Sequence, residues 1–554
     1  MANTITGRSA FLALLMDEGI THLFGNPGTT ELPVMHALKD FPDLTYVMAM
    51  QESLVVAMAD GFSRASGKLT ACNVHVAPGL GNAMGALYNA KFTGTPLILT
   101  AGQQEQGHGL MEPLLYDPLV PIAQPLVKWA VEVNRLEDLP RIVRRAAKIA
   151  MTPPTGPVFL SLPGDILNAE GGVDLGKRSR VDAKVRPSEE ALVALADRLI
   201  AAKAPVLLAG DEVVKSDALE EAAELSEVLG CPAWQSTIAY GAHFLSERPA
   251  FMGTPGREQA IVRKHLEGHD LMLVLGADVL RMSVWSPIDA KPDHLAIAQI
   301  GLVDNELAKN YSADIALKAD VKETLKALIP ILRARGGTAL SERAATGLAA
   351  LSTRNWSAKR AALVSQISAR ADQTPMSGDW LTLQVCEAIP AHGILVHEGL
   401  TSARHANALY PYRDRYNFHG LASGGIGWGL PAAVGVQLAH PDRPVTALIG
   451  DGSAMYSVQA LWTAAHHKLP MAFIICNNGG YRIIKQRLLS FHGDDNFIGM
   501  DFKDPPLDWV SLASGLGMRA IRLSDPGEVR GVLNEACRGD LGPVLIDAVL
   551  DGSL

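Results

Sequence analysis

Residues 450–481 read GDGSAMYSVQALWTAAHHKLPMAFIICNNGGY. An apolar run, Val445 to Ile449, leads into this stretch and stops at Gly450-Asp451-Gly452-Ser453. A second apolar run, Met471 to Cys476, stops at Asn477-Asn478-Gly479-Gly480. Runs this short and this apolar are expected as strands covered on both faces. The amphipathic segment between them, about Ser457 to His467, is expected to be the helix that returns the chain for a second parallel strand. Open parallel sheets bind ligands at the carboxyl ends of their strands, so Asp451 and Asn478 both fall on a binding edge. Gly450 and Gly452 let the backbone approach a ligand and leave its N–H groups free to point at it. The side-chain oxygens of Asp451 and Asn478, with a carbonyl near Gly480, form a hard set suited to Mg²⁺, with Ca²⁺ an acceptable substitute. A diphosphate held by one such cation and by amides at a helix start accounts for the arrangement. Asp-Gly or Asn-Gly alone reads as a turn dipeptide. The two together, at strand ends one helix apart, form a specific pattern.

The same vocabulary recurs along the chain in PLILTAG (96–102), GPVFLSLPGD (156–165), APVLLAGDE (204–212), LMLVLGAD (271–278) and GPVLIDAVL (542–550). Near-continuous apolar strands alternating with helical patterns predict an α/β protein built of doubly wound parallel sheets. At 554 residues the chain exceeds one domain. Two polar or Pro/Gly-marked stretches, 166–188 and 333–378, suggest boundaries and divide it into blocks at 1–170, 188–335 and 376–554. The first and third blocks echo each other: TGPVFLSLPGD closes one, and LGPVLIDAVLDG closes the other.

Net charge is −9 with no long Lys/Arg run, which excludes a nucleic-acid-binding face. The N-terminal apolar stretch is cut by Asp17 and Glu18 and lacks a basic start, and no run is long enough to span a bilayer. Five scattered cysteines, Cys72, Cys231, Cys386, Cys476 and Cys537, show no metal-like spacing and suit a reducing compartment. A cytoplasmic protein with no membrane and no nucleic-acid partner is expected.

The GDG…NN pattern resembles the cofactor motif of thiamine diphosphate enzymes. That family also needs a carboxylate facing the cofactor's pyrimidine ring from a second domain. The segment MAMQESLVVAMADGFSRASG (48–67) supplies Glu52 in the matching place; standing alone, Glu52 would read as an acid favoured at a helix start. FGNPGTTELP (24–33), NVHVAPGLGNAMGALYNA (73–90), TAGQQ (100–104), PLVKW (125–129) and the stretch 430–465 resemble the benzoylformate decarboxylase branch of the family. The resemblance covers essentially the whole chain. It implies pyrimidine-binding, central and diphosphate-binding domains in that order. It implies a homotetramer with sites between subunits, and non-oxidative decarboxylation of a 2-oxo acid to an aldehyde through ylid and enamine intermediates.

Roles follow from the matched positions. Glu52 would hydrogen-bond the aminopyrimidine N1′. Ile426, in SGGIGWGLP, would support the bend of the cofactor, and the Gly424 carbonyl would accept its 4′ amino group. Asp451, Asn478 and Gly480 would hold the metal; Gly452, Ser453, Thr401 and Ser402 would face the diphosphate, with Tyr481 also at the cofactor. His75 would shuttle protons near neutral pH. Thr29 stands where the relatives carry a serine that contacts the substrate carboxylate.

Two departures stand out. Ser283 occupies the place of a second active-site histidine, and serine is no near-neutral acid–base group. Arg487 replaces an apolar aromatic residue, with Arg482 and Lys485 nearby. Pointing inward, Arg487 would favour a substrate with a second anionic or polar group; pointing outward, it would be a solvated helix charge. His397, His419 and His492 are further candidate pocket members. Ser283 also keeps open a carboligase or lyase of the acetolactate synthase or benzaldehyde lyase kind. No flavin is expected, because the central block lacks G-x-G-x-x-G. A catalytically idle homologue is disfavoured by the presence of Glu52, His75, Asp451 and Asn478 together.

Overall fold

The computed structural model describes residues 4–554. Each quoted apolar run forms a strand: Leu97–Gln103, Val158–Pro163, Pro205–Ala209, Leu271–Leu275, Val445–Gly450 and Val544–Val549. All but two of their residues, Gly450 and Val549 at strand ends, are buried, as strands covered on both faces require.

The strands make three six-stranded parallel sheets flanked by helices. The first runs, edge to edge, Thr45–Met48, His22–Gly25, Thr70–Val74, Leu97–Gln103, Val158–Pro163, Ala130–Glu132. The third runs Phe418–Gly420, Ile394–Glu398, Val445–Gly450, Met471–Asn477, Val544–Val549, Arg519–Leu523. Numbered along the chain, both follow the order 2-1-3-4-6-5, so the echo between these blocks extends to topology. The middle sheet follows 3-2-1-4-5-6, from Phe251–Gly253 at one edge to Ile315–Lys318 at the other, an order that leaves a crevice where strand 1 meets strand 4.

Helices fill much of the stretch 333–378. Val321–Leu351 bends at Gly337, and Trp356–Ser368 follows. The return segment after Asp451 is two short helices, Asp451–Met455 and Ala460–His466, rather than one beginning at Ser457. All five cysteines are free and buried. Among the described residues, no helix is long and apolar enough to cross a membrane.

The first and third sheets are joined through helices Glu52–Ser66 and Gly429–Ala439. Their backbones touch: a Cβ on Gly435 would land on the Met58 carbonyl. At the same seam the Trp428 indole N–H donates to Asp60 (2.6 Å), a fully buried carboxylate that also accepts from Thr95 (2.5 Å).

Candidate active site

The carboxyl ends of Val445–Gly450 and Met471–Asn477 lie side by side, with Gly450 paired to Cys476. Asp451 is buried at the start of its helix. Its Oδ1 accepts from the Gly452 amide (2.8 Å), and its Oδ2 from the amides of Asn478 (3.1 Å), Gly479 (2.8 Å) and Gly480 (3.3 Å). Burial pushes this carboxyl up to about 6, against the opposing pull of those four amides. Asn478 donates to Ser402 Oγ (2.6 Å) and accepts from the Gly480 amide (3.2 Å). The expected ligands Asp451, Asn478 and Gly480 are therefore brought together by two bonded turns, tied through Ser402 to the loop of Thr401 and Ser402. Leu400, just before them, has φ +45°, the kind of strain that clusters at functional turns. Among the described residues, no three His, Cys, Asp or Glu side chains cluster as a metal site. A cation here would rest on one carboxylate, neutral oxygens and phosphate, which is the ligand set of Mg²⁺.

Gly424 and Gly427, at φ +85° and +91°, bracket the half-buried Ile426. A Cβ at Gly424 would meet nothing within 4 Å, so this exposed glycine faces open space. Behind it lies Glu398, a buried carboxylate that sequence reasoning passed over. It accepts from the amides of Gly427 (2.7 Å) and Gly429 and from the Ser453 side chain. Burial pushes its carboxyl up to about 7. Glu398 thus ties the Ile426 loop to the turn that holds Asp451. Tyr481 stands edge-to-face with Phe502, ring centroids 4.8 Å apart.

A second cluster lies on the first sheet. Glu52 opens helix Glu52–Ser66 but does not cap it; Gln51 does, accepting from the amides of Ser53 (2.6 Å) and Leu54 (3.3 Å). The buried Glu52 carboxylate is held instead by Asn26 (2.9 Å) and Asn82 (3.0 Å), two amides within the quoted stretches 24–33 and 73–90 to which sequence reasoning assigns no role. His75 closes strand Thr70–Val74 and precedes helix Val76–Thr93. Its Nδ1 sits 2.7 Å from Glu31 Oε2 and 3.1 Å from Thr30 Oγ1. Thr30 thus touches the histidine. Thr29 is exposed and lines a cavity with Pro33, Gln104 and Glu105. Among the described residues, no hydrogen bond or ion pair joins the Glu52 cluster to the Asp451 cluster within one chain.

The remaining candidates divide. Ser283 is exposed, beside the 84% exposed Trp285. His397, one residue from the end of strand Ile394–Glu398, has Nε2 unpartnered, and burial holds its imidazole down at about 4. His419 lines the crevice of the middle sheet, and His492 is exposed at a helix end. Lys485 is buried and neutralised by Asp501 (2.6 Å). Arg482 is half-buried, its Nε without a partner. Arg487 is exposed with its guanidinium 5.5 Å from the Phe491 ring centroid. Burial, helped by the charge of Arg487, lowers the pKa of Arg257 in the middle block. The middle crevice, about 540 Å³, is lined by Glu212, whose carboxylate takes the Leu302 amide (2.6 Å).

Three parallel sheets with a diphosphate-type turn on the last and a buried, amide-held glutamate on the first define a thiamine diphosphate-binding enzyme. Family profiles agree: the "Thiamine pyrophosphate enzyme, N-terminal TPP binding domain" matches residues 5–113, the central domain 192–328 and the C-terminal TPP binding domain 400–548. The chain belongs to the thiamine diphosphate enzyme family. Within it, the chain is similar to the benzoylformate decarboxylase of Pseudomonas aeruginosa, 36% identical over 546 residues and 98% of each chain. A solved thiamine diphosphate-dependent 4-hydroxybenzoylformate decarboxylase of Rhodococcus jostii superposes with a TM-score of 0.86 at 31% identity, covering 99% of this chain and all of that one. Similarity to the acetolactate synthase isozyme 3 large subunit of Escherichia coli is lower, 25% identity over 99% of this chain and 95% of that one.

Proposed function

We propose that this protein is a thiamine diphosphate- and Mg²⁺-dependent decarboxylase that converts a benzoylformate-like 2-oxo acid to an aldehyde. The observation that carries this reading is the pair of first-sheet groups, Glu52 held by two amides and His75 held by a carboxylate, on a chain that also carries the diphosphate-type turn on its third sheet. Bound thiamine diphosphate supplies a carbon nucleophile and an electron sink for the carboxylate's bonding pair.

The chain does the rest. Asp451, Asn478 and the Gly480 carbonyl hold the cation, and Thr401, Ser402 and Ser453 face the diphosphate. Ile426, the Gly424 carbonyl and Tyr481 would contact and orient the cofactor. Glu52 keeps a proton at the pyrimidine N1′. Thr29 receives the substrate carboxylate, and His75 moves a proton at Nε2. The units run 1–170, 188–335 and 376–554. The active assembly is a cytoplasmic homotetramer in which Glu52 of one copy meets Asp451 of another; the separate bonding of the two clusters within one chain supports this. Flavin has no place in the reading, since the central block lacks G-x-G-x-x-G.

The test is product analysis by proton NMR with thiamine diphosphate, Mg²⁺ and a panel of 2-oxo acids, with and without added aldehyde. Free aldehyde as main product, from one acid far above the rest, supports the decarboxylase. Mainly 2-hydroxy ketones would replace it with the carboligase reading, which Ser283 favours.

A further inference from the structure

Glu31 is buried to 1% exposure, a costly place for a carboxylate unless every oxygen is satisfied. Here every oxygen is. Oε1 accepts from the Gly102 amide (2.9 Å) and Thr30 Oγ1 (2.9 Å). Oε2 accepts from the Gly28 amide (2.9 Å) and faces His75 Nδ1 at 2.7 Å. A carboxylate with two backbone donors and a hydroxyl pointing at it has only acceptor capacity left, so the proton between Glu31 and His75 resides on Nδ1. Neutral His75 therefore presents a bare Nε2. The ring is also clamped in place: it packs on the backbone of Gly28, where any side chain would collide with it. Val76, the next residue, sits at φ +39°, a strained conformation for a β-branched residue.

We infer that Glu31 is the positioning residue of His75: it holds the Nδ1–H tautomer, aims Nε2 at the reacting centre and stabilises the imidazolium. Glu31 itself touches no substrate. The inference rests on the decarboxylase reading, in which His75 moves the proton. The cycle balances at Nε2, which takes one proton and returns one, while Nδ1–H stays bonded to Glu31 throughout. A glutamine at 31 cannot reproduce this. Its amide nitrogen would oppose either a backbone N–H or Nδ1–H, and where it wins it forces the proton to Nε2, the wrong tautomer for a base.

The test compares the holoenzymes of wild type, Glu31→Gln, Glu31→Asp, His75→Ala and the double variant Glu31→Gln/His75→Ala. The expected result is a fall in kcat of about 10- to 100-fold for Glu31→Gln, partial recovery in Glu31→Asp, and an unchanged dissociation constant for thiamine diphosphate. The double variant should be no slower than His75→Ala alone. Wild-type enzyme carrying ¹⁵N-histidine, with His75 assigned by its loss in His75→Ala, should show a protonated Nδ1 and a bare Nε2; this readout needs no variant of Glu31 to fold. Additive losses in the double variant, or a wild-type spectrum with the proton on Nε2, overturn the inference. Full activity of His75→Ala toward every 2-oxo acid instead overturns the role of His75 in the underlying reading, a distinguishable failure.

Discussion

Glu52 shows how the surroundings of a residue decide what it does. Next to a helix start, a glutamate usually spends its charge on the first-turn amides. Gln51 takes those amides here and frees Glu52 for Asn26 and Asn82. Glu52→Gln keeps the size and one acceptor but loses the acid. It should cut turnover by about 10²- to 10⁴-fold while leaving the cofactor affinity within a few-fold, measured by steady-state kinetics and by titration calorimetry with thiamine diphosphate and Mg²⁺. Normal turnover in this variant would remove Glu52 from the mechanism. At this scale legibility was uneven. Asp451 and Asn478 announce themselves because two turn motifs close consecutive apolar strands. Glu31, Glu398, Asn26 and Asn82 do not, because their partners are supplied by loops and helices distant in sequence, and an isolated acid or amide carries no periodic signal. Thr30, to which sequence reasoning assigns no role, makes a histidine contact of its own, since neighbouring threonines in a tight turn differ only in which way the backbone points them.

Among the elements, strands buried on both faces were the most legible, since a continuous apolar run allows few other readings. The helices across 333–378 were not, because their polar and glycine-marked sequence lacks a clear apolar stripe. Two predictions belong here. Gly435→Ala should lower the free energy of unfolding by about 2 kcal/mol, seen as an earlier denaturant midpoint, because the added methyl meets the Met58 carbonyl across the helix seam. Glu212 is the second case. Burial pushes its carboxyl up to about 7 from an ordinary 4.5, so the folded state binds this proton more tightly than the unfolded state. Its contribution to stability is full below 4.5 and is lost as pH rises towards 7. Relative to Glu212→Gln, the wild type should lose on the order of 2–3 kcal/mol across that window; parallel stability curves for the two proteins would contradict this.

At the scale of the whole molecule, the repeated 2-1-3-4-6-5 order in the first and third sheets puts two similar binding edges on one chain. The sequence echo hinted at this, but only topology makes it plain. If each active centre takes Glu52 from one copy and Asp451 from another, two inactive variants can repair each other. Equal amounts of Glu52→Gln and Asp451→Asn, unfolded and refolded together, should recover about a quarter of wild-type activity, since half the pairs are mixed and each mixed pair rebuilds one of two centres. No recovery, with the assembly intact by light scattering, would place both residues in one copy.

The seam between Glu52–Ser66 and Gly429–Ala439 then takes on a second meaning. Glu52 heads one of these helices, and the Ile426 loop leads into the other. If centres are shared between copies, those two ends belong to different centres, and the close helix contact at Gly435 is a direct packed link between them within one chain.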